Sequence, residues 1–204
     1  MASKGEDTRA AILSIAMEQA AVVGLDGLSI AGLAEAASLS KSGLFAHFGS
    51  KESLQIEVIR AAADRFVHVV VQPALRAPRG VPRLLALVER WMGWGARSGG
   101  CLFVSASAEL DDRPGPARDA LVQTQRDWLD TLAGAVRIAI AEGHLAADVD
   151  PVQAAFELHA LTLGYHHARR FLRDPSAEAR MRAAVAALFA RHVTPLGATF
   201  LTPR

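Results

Sequence analysis

The chain has 204 residues, of which 51% are hydrophobic and 21% are charged. That apolar share excludes a disordered chain, and the length predicts one medium domain or two small ones. The 22 basic and 21 acidic side chains nearly cancel, so composition alone does not indicate a polyanion-binding protein. A single cysteine, Cys101, excludes a disulfide framework. Because no signal peptide and no long apolar run is present, we expect a cytoplasmic protein without a membrane partner.

The residue pattern predicts an all-α fold, because alanine, leucine and arginine dominate and no segment alternates with the period of a strand. Thr8, Ser29, Ser40 and Ser50 can cap helix N-termini, and Gly24 stands where a helix ends. Regular structure is expected to end at Thr194. We therefore expect nine helices, three short ones and then a bundle, over residues 8–23, 29–36, 40–48, 51–75, 82–97, 101–110, 117–142, 151–173 and 175–192.

Residues 29–54 read SIAGLAEAASLSKSGLFAHFGSKESL and have the spacing of a helix-turn-helix. In such a motif the second helix enters the major groove of DNA. Its two helices are expected to be held by inward-facing apolar side chains, which are Ile30, Leu33, Ala34, Ala37, Leu39, Leu44, Phe45 and Phe48. Residues 1–60 carry five basic and seven acidic side chains, so binding here requires a few placed cations rather than a basic surface.

This stretch resembles the DNA-binding domain of the tetracycline-repressor family of bacterial transcriptional regulators. The resemblance is carried by Gly24, Leu33-Ala34, Leu39, Leu44-Phe45, His47-Phe48, Lys51 and Leu54. Two positions depart from the family pattern. Ser38 stands where a turn glycine is common, so either this residue tolerates an unusual backbone conformation or the turn differs slightly from the family's. Phe45 stands where tyrosine is commoner, so a phosphate contact from that hydroxyl is lost.

Seven polar or small residues of the motif are expected to contact DNA. Ser40 can cap the second helix and meet a phosphate there, and Lys41 can reach guanine O6 and N7. Ser42 and Gly43 allow a close approach to the bases. His47 and Lys51 are placed to hold phosphates, and Ser29 can donate to one. For each residue, the alternative is an ordinary cap or a solvated charge.

The resemblance implies that residues 1–50 bind a palindromic double-stranded operator and that residues 51–204 bind a small-molecule effector. It also implies a homodimer formed by the last two helices, whose broad apolar faces can build a four-helix seam. Aromatic side chains that could line an effector pocket are Trp91, Trp94, Phe103, Trp128, Phe156 and Tyr165. An apolar pocket of this kind favours a largely hydrophobic ligand. The alternative is that these aromatic residues are plain core.

The histidines do not have the spacing of a metal site. His159 and His166 are seven residues apart on one helix face, and no HxxxH pair or second cysteine accompanies them. We therefore expect no metal and no cofactor, and a polar seam at a dimer interface is the preferred reading of these histidines. The favoured function is a ligand-released repressor. A ligand-independent regulator or an activator stays open, as does an all-α enzyme or carrier, although no catalytic motif is present.

Overall fold

The computed structural model describes residues 4–201, with the backbone alone at Lys4. Over those residues the fold is all-α, as predicted, and its only extended pairing is an isolated bridge between Leu145 and Val193. The helices are α1 (Lys4–Val23), α2 (Ile30–Ala36), α3 (Lys41–Phe48), α4 (Lys51–Phe66), α5 (Val81–Gly95), α6 (Leu102–Leu110), α7 (Pro116–Ala141), α8 (Pro151–His166), α9 (Ala177–Ala190) and α10 (Pro195–Ala198).

Two of these helices continue as wider π-helical turns. After α4 the chain passes through Val67–Val71 and Gln72–Ala74, and after α8 it passes through His167–Phe171. With these extensions, the two helices end close to the predicted residues 75 and 173.

Two predicted helix ends were wrong. Helix α1 begins at Lys4, so Thr8 lies inside it and does not cap it. Regular structure also continues past Thr194, because the Thr194 side chain accepts a hydrogen bond from Gly197 N at 3.1 Å and caps α10. Threonine followed by proline is the same start signal that Asp150-Pro151 gives for α8, so the sequence contained the information.

The chain divides into two compact units that interleave along the sequence. The first contains the chain up to Arg65 together with Arg97–Gln125, and the second contains Phe66–Ala96 together with the chain from Arg126 onward. The first unit therefore includes α6 along with the predicted helix-turn-helix. The predicted boundary after residue 50 separates a DNA-binding segment from a ligand-binding and dimerisation segment. It does not describe the compact units, and it stays a prediction.

Each unit has its own apolar core. In the first unit, the buried apolar side chains include Ile12 and Ala16 of α1, Leu33 of α2, Leu44 of α3 and Val58 of α4. In the second unit the largest fully buried side chains come from α5, α7, α8 and α9, and they are Leu84, Leu87, Leu132, Leu158 and Phe189. Burying such a side chain stabilises the fold by about 1.5–3 kcal/mol.

Among the described residues 4–201, no helix combines the length and the apolar character that crossing a bilayer requires.

Candidate nucleic-acid interface

The turn between α2 and α3 has the hydrogen bonds of a Schellman motif. Ser38 N donates to Glu35 O at 3.0 Å, and Leu39 N donates to Ala34 O at 2.8 Å. This motif requires a left-handed backbone at the residue after the cap, and Ser38 has φ +55°. The predicted unusual conformation of Ser38 is therefore confirmed. A serine occupies a position that glycine adopts at lower cost.

Both helices of the motif begin with serine caps. The Ser29 hydroxyl accepts from Gly32 N at 3.0 Å, and the Ser40 hydroxyl accepts from Gly43 N at 3.1 Å. A Cβ at Gly43 would lie 3.2 Å from the Ser40 hydroxyl oxygen, which is a tight contact. Glycine at this position therefore leaves room for the cap at the start of α3.

Helix α3 presents one buried and one exposed face. Leu44 and Phe48 are buried, whereas Lys41, Ser42 and Ala46 are exposed. Phe45 was expected to anchor the helix, but that prediction was wrong, because its side chain is 51% exposed. Its position is four residues after Lys41, so the two share the exposed face.

The remaining predicted contact residues lie around this face. Ser29 and Lys51 are exposed, and Gly43 and His47 are half-buried. His47 packs its ring beside Phe48, with 6.2 Å between ring centroids. Lys51 Nζ donates to the backbone oxygen of Asp26 at 2.6 Å. An ammonium has three donors, so this hydrogen bond leaves donors available for a phosphate.

Arg9 of α1 supports α3 from the protein side, and the sequence analysis did not identify it. Its Nη1 donates to His47 O at 2.6 Å, and its Nη2 lies 3.2 Å from Glu57 Oε2. The guanidinium also stands 4.9 Å from the centroid of the Phe48 ring, a cation–π distance. Arg9 and His47 are 38 residues apart, so no local pattern indicates this contact.

The second unit contains a cluster of aromatic rings. Phe66 makes edge-to-face contacts with Trp94 and Trp128, at centroid distances of 5.4 and 5.0 Å. Trp91 and Tyr165 form another pair at 6.1 Å. Four of the predicted effector residues thus lie in the core of the second unit. Phe66 joins two of them and was missed, because it stands at the end of α4 rather than in an aromatic run.

The structure does not bring the other two predicted effector residues into this cluster. Phe103 is buried in the first unit, where its carbonyl accepts from Gln125 Nε2 at 3.4 Å. Phe156 is 63% exposed and lines an open groove of about 560 Å³ between α8 and α9. Phe156 therefore lies on the surface for which the sequence predicts dimerisation.

Several buried polar atoms in the second unit have no hydrogen-bond partner within the described part of the chain. They are Trp128 Nε1, His159 Nδ1 and His166 Nδ1. Burial lowers the pKa of His159, and burial together with Arg170 and His167 lowers the pKa of His166. Both rings are therefore neutral at pH 7, so each can donate or accept one hydrogen bond without a charge. Across residues 4–201, no three metal-ligating side chains meet.

A helix-turn-helix with capped helices and an exposed lysine at the start of its second helix defines a DNA-binding protein of the all-α class. Two family models match the chain. "Bacterial regulatory proteins, tetR family" covers residues 12–58, and "Tetracyclin repressor-like, C-terminal domain" covers residues 80–185. The chain belongs to the tetR family of bacterial regulatory proteins. It is thus a transcriptional regulator and not an enzyme.

Solved structures of family members share this fold along nearly their whole length. A TetR transcriptional regulator from Chloroflexus aurantiacus is 23% identical, with a TM-score of 0.83 over 94% of this chain and 99% of its own. A regulator from Cytophaga hutchinsonii is 20% identical, with a TM-score of 0.84 over 95% and 98%. AibR in complex with isovaleryl coenzyme A and operator DNA is 24% identical, with a TM-score of 0.70 over 89% and 98%. No curated protein matches the sequence.

Proposed function

We propose that the protein is a homodimeric repressor that binds a palindromic operator through α3 and is released by a small, largely apolar ligand. The observation that carries the proposal is the exposed face of α3. Lys41 and Ser42 project from the first turn of a helix whose opposite face is buried by Leu44 and Phe48. A helix held in this way can enter a major groove without losing its packing.

The proposed contacts divide into base readers and phosphate holders. Lys41 is assigned to guanine O6 and N7, while Ser42 and Gly43 allow close approach at the same turn. Ser29, Ser40, His47 and Lys51 are assigned to phosphates, which fix the register of the helix on the duplex. To these we add Phe45, whose exposed ring can make an apolar contact with a thymine methyl group or a sugar.

Dimerisation is proposed through α8 and α9. Val152 and Phe156 of α8 are 64% and 63% exposed, and Phe171 of its extension is 76% exposed. The groove between the two helices is lined mainly by alanine and leucine, with Glu157 and Arg191 at its rim. A two-fold axis through this surface would bury it against itself. It would also supply the second α3 that a palindromic site requires.

The effector is proposed to bind among the aromatic residues of the second unit. A largely apolar ligand gains about 25 cal/mol for each Å² of apolar surface removed from water. Trp128 Nε1 is a buried donor for an acceptor atom on such a ligand. AibR, which has the same fold, is described in complex with both isovaleryl coenzyme A and operator DNA, and this favours coupled binding here. The division into residues 1–50 for DNA and 51–204 for ligand and dimer is part of the proposal.

The DNA-binding proposal is tested by selecting duplexes from a random pool with the purified protein, followed by titration at several salt concentrations. We expect an enriched inverted repeat with half-site centres about 34–36 Å apart, one helical turn. Affinity should fall with salt with a shallow slope, because few cations contact phosphates. Recovery of no preferred sequence would contradict the proposal.

The same fold would serve a ligand-independent regulator or an activator. A transcription assay with the selected site upstream of a reporter separates these functions. The repressor proposal requires reporter output to rise when the gene for this protein is deleted, whereas an activator would give the opposite change.

A further inference from the structure

The turn that joins α1 to α2, residues 24–27, is held by a carboxylate from α6. Asp26 N donates to Glu109 Oε2 at 3.0 Å, and the backbone N–H of Leu25 donates to the same carboxylate. Glu109 lies 83 residues further along the chain. The family models place the turn in the N-terminal segment and Glu109 in the C-terminal one, yet both lie in the first compact unit.

The Glu109 carboxylate can lie against the turn only because residue 24 is a glycine. Gly24 has φ +81°, the left-handed conformation that glycine adopts most easily. A Cβ at this position would overlap the Glu109 carboxylate. Glycine therefore serves two purposes, because it ends α1 and allows Glu109 to reach the two backbone N–H groups.

Other side chains hold the same turn from α4 and from the loop after α6. Gln55 Nε2 donates to Leu25 O at 3.1 Å, and this contact is buried. Lys51 Nζ donates to Asp26 O at 2.6 Å, and Arg113 forms an ion pair with the Asp26 carboxylate. The turn is thus fixed from both sides, and Glu109 is the contact that ties it to α6.

The turn is connected to α3 through both of its neighbouring helices, α1 and α2. The helix α2 begins three residues after Gly27, and α1 is tied to the end of α3 by the hydrogen bond from Arg9 to His47 O. Burial raises the pKa of Glu109, although the Leu25 N–H and the charge of Lys51 act in the opposite direction. Since the folded-state pKa is raised, the ionised carboxylate lowers stability at neutral pH. This cost concerns the charge alone and not the hydrogen bonds that the carboxylate accepts from the turn.

We propose that Glu109 is a positioning residue for DNA recognition: α6 sets the placement of α1 and the helix-turn-helix by holding the turn between α1 and α2. The inference rests on the proposed DNA-binding function. Loss of the contact should misplace base-reading groups, while the general attraction to phosphates persists. Affinity for a specific site should then fall more than affinity for random DNA.

The test compares Glu109→Gln with Asp112→Asn, which removes one charge from an exposed side chain in the same region. The probes are the duplex selected with the wild-type protein and a random-sequence duplex of equal length. For Glu109→Gln we expect the ratio of the two affinities to fall about tenfold, as expected for one lost hydrogen bond to a charged group. Asp112→Asn should leave that ratio unchanged. Equal ratios for both variants would overturn the proposal.

Two further measurements separate positioning from loss of folding. Glu109→Asp keeps the charge but is too short to reach the turn, and it should lower the affinity ratio while circular dichroism stays that of the wild type. Hydrogen exchange at the amides of Leu25 and Asp26 should accelerate in both Glu109 variants. Exchange unchanged at those amides would overturn the proposed contact. If the wild-type protein selects no duplex, the DNA-binding function fails first, and this outcome is distinct from failure at Glu109.

Discussion

At the residue scale, most of the interface consists of side chains that shape the backbone rather than reach outward. Ser29 and Ser40 cap their helices, and Ser38 holds a left-handed turn between them. Lys41 is different, because it lies at the start of α3 with its side chain exposed. The proposed base reading therefore depends on few side chains, and the others determine where those few are placed.

Ser38→Gly should raise the free energy of unfolding by roughly 0.5–1 kcal/mol. A left-handed conformation costs a non-glycine residue about 1–2 kcal/mol, and glycine removes this cost. Glycine also makes the unfolded chain more flexible, which offsets part of the gain in stability. Chemical denaturation measures the change. Ser38→Ala is the matched control, because it retains the strain and should give no gain. A loss of stability in Ser38→Gly would show that the turn is not strained.

Lys51→Ala should weaken binding to the selected duplex and to random DNA by similar factors. The reason is the proposed phosphate contact, whose removal reduces the slope of log affinity against log salt by about 1. Arg60→Ala, an exposed cation further along α4, is the control and should leave the slope unchanged. If only specific binding falls and the slope stays the same, Lys51 acts through its hydrogen bond to Asp26 O instead.

At the element scale, α8 has apolar residues on two faces, of which one is exposed and the other is buried. Val152, Phe156 and Leu163 are exposed on one face, and Leu158 and Tyr165 are buried on the other. His159 and His166 lie between these faces, with lowered pKa values and unpartnered buried Nδ1 atoms among the described residues. The helix thus combines an exposed apolar face with a neutral polar flank.

Phe156→Arg should weaken dimerisation by at least about tenfold, because a charge would enter an apolar interface. The exposed position means that the monomer core loses no packing. Sedimentation equilibrium measures the dissociation constant. Leu75→Arg places the same charge at another exposed apolar residue, outside α8 and α9, and should leave the dimer intact. A dimer of unchanged strength in Phe156→Arg would move the interface away from α8 and α9.

Acidification from pH 7 to pH 5 should lower the free energy of unfolding. The pKa values of His159 and His166 are lowered in the folded state, so the unfolded chain binds more protons as pH falls below about 6.5. The double variant His159→Gln, His166→Gln should lose less stability over the same interval. His68→Gln, an exposed histidine, serves as control. An identical pH dependence in the wild type and the double variant would show that His159 and His166 do not cause the loss of stability.

Local signals in the sequence were sufficient for most helix ends and for the helix-turn-helix. Ser40, Asp150 and Gly24 act within four residues of their partners, so their roles can be read from sequence. Arg9 and Glu109 were missed because their partners lie 38 and 83 residues away. The exposure of Phe45 was missed for a related reason. Helical spacing places Phe45 near the edge of the buried face, and only the packing of neighbouring helices determines whether its side chain is buried or exposed.

At the scale of the whole molecule, the proposed recognition of a palindromic operator requires two copies of the exposed face of α3 in correct register. The first unit carries that face, and α6 belongs to the same unit. Glu109 fixes the turn at one end of the DNA-binding helices, and Arg9 fixes the end of α3. The central claim is that α3, placed in this way, reads bases through Lys41.

The most direct test repeats the selection from random duplexes with Lys41→Ala. We expect the inverted repeat to return with the same half-site spacing, but with the preference lost at one base pair in each half-site. Binding to the original duplex should weaken by about 1–3 kcal/mol for each lost base contact. The parallel selection with Lys51→Ala should return the full wild-type sequence. An unchanged preference at every position with Lys41→Ala would contradict the claim that α3 reads bases through this residue.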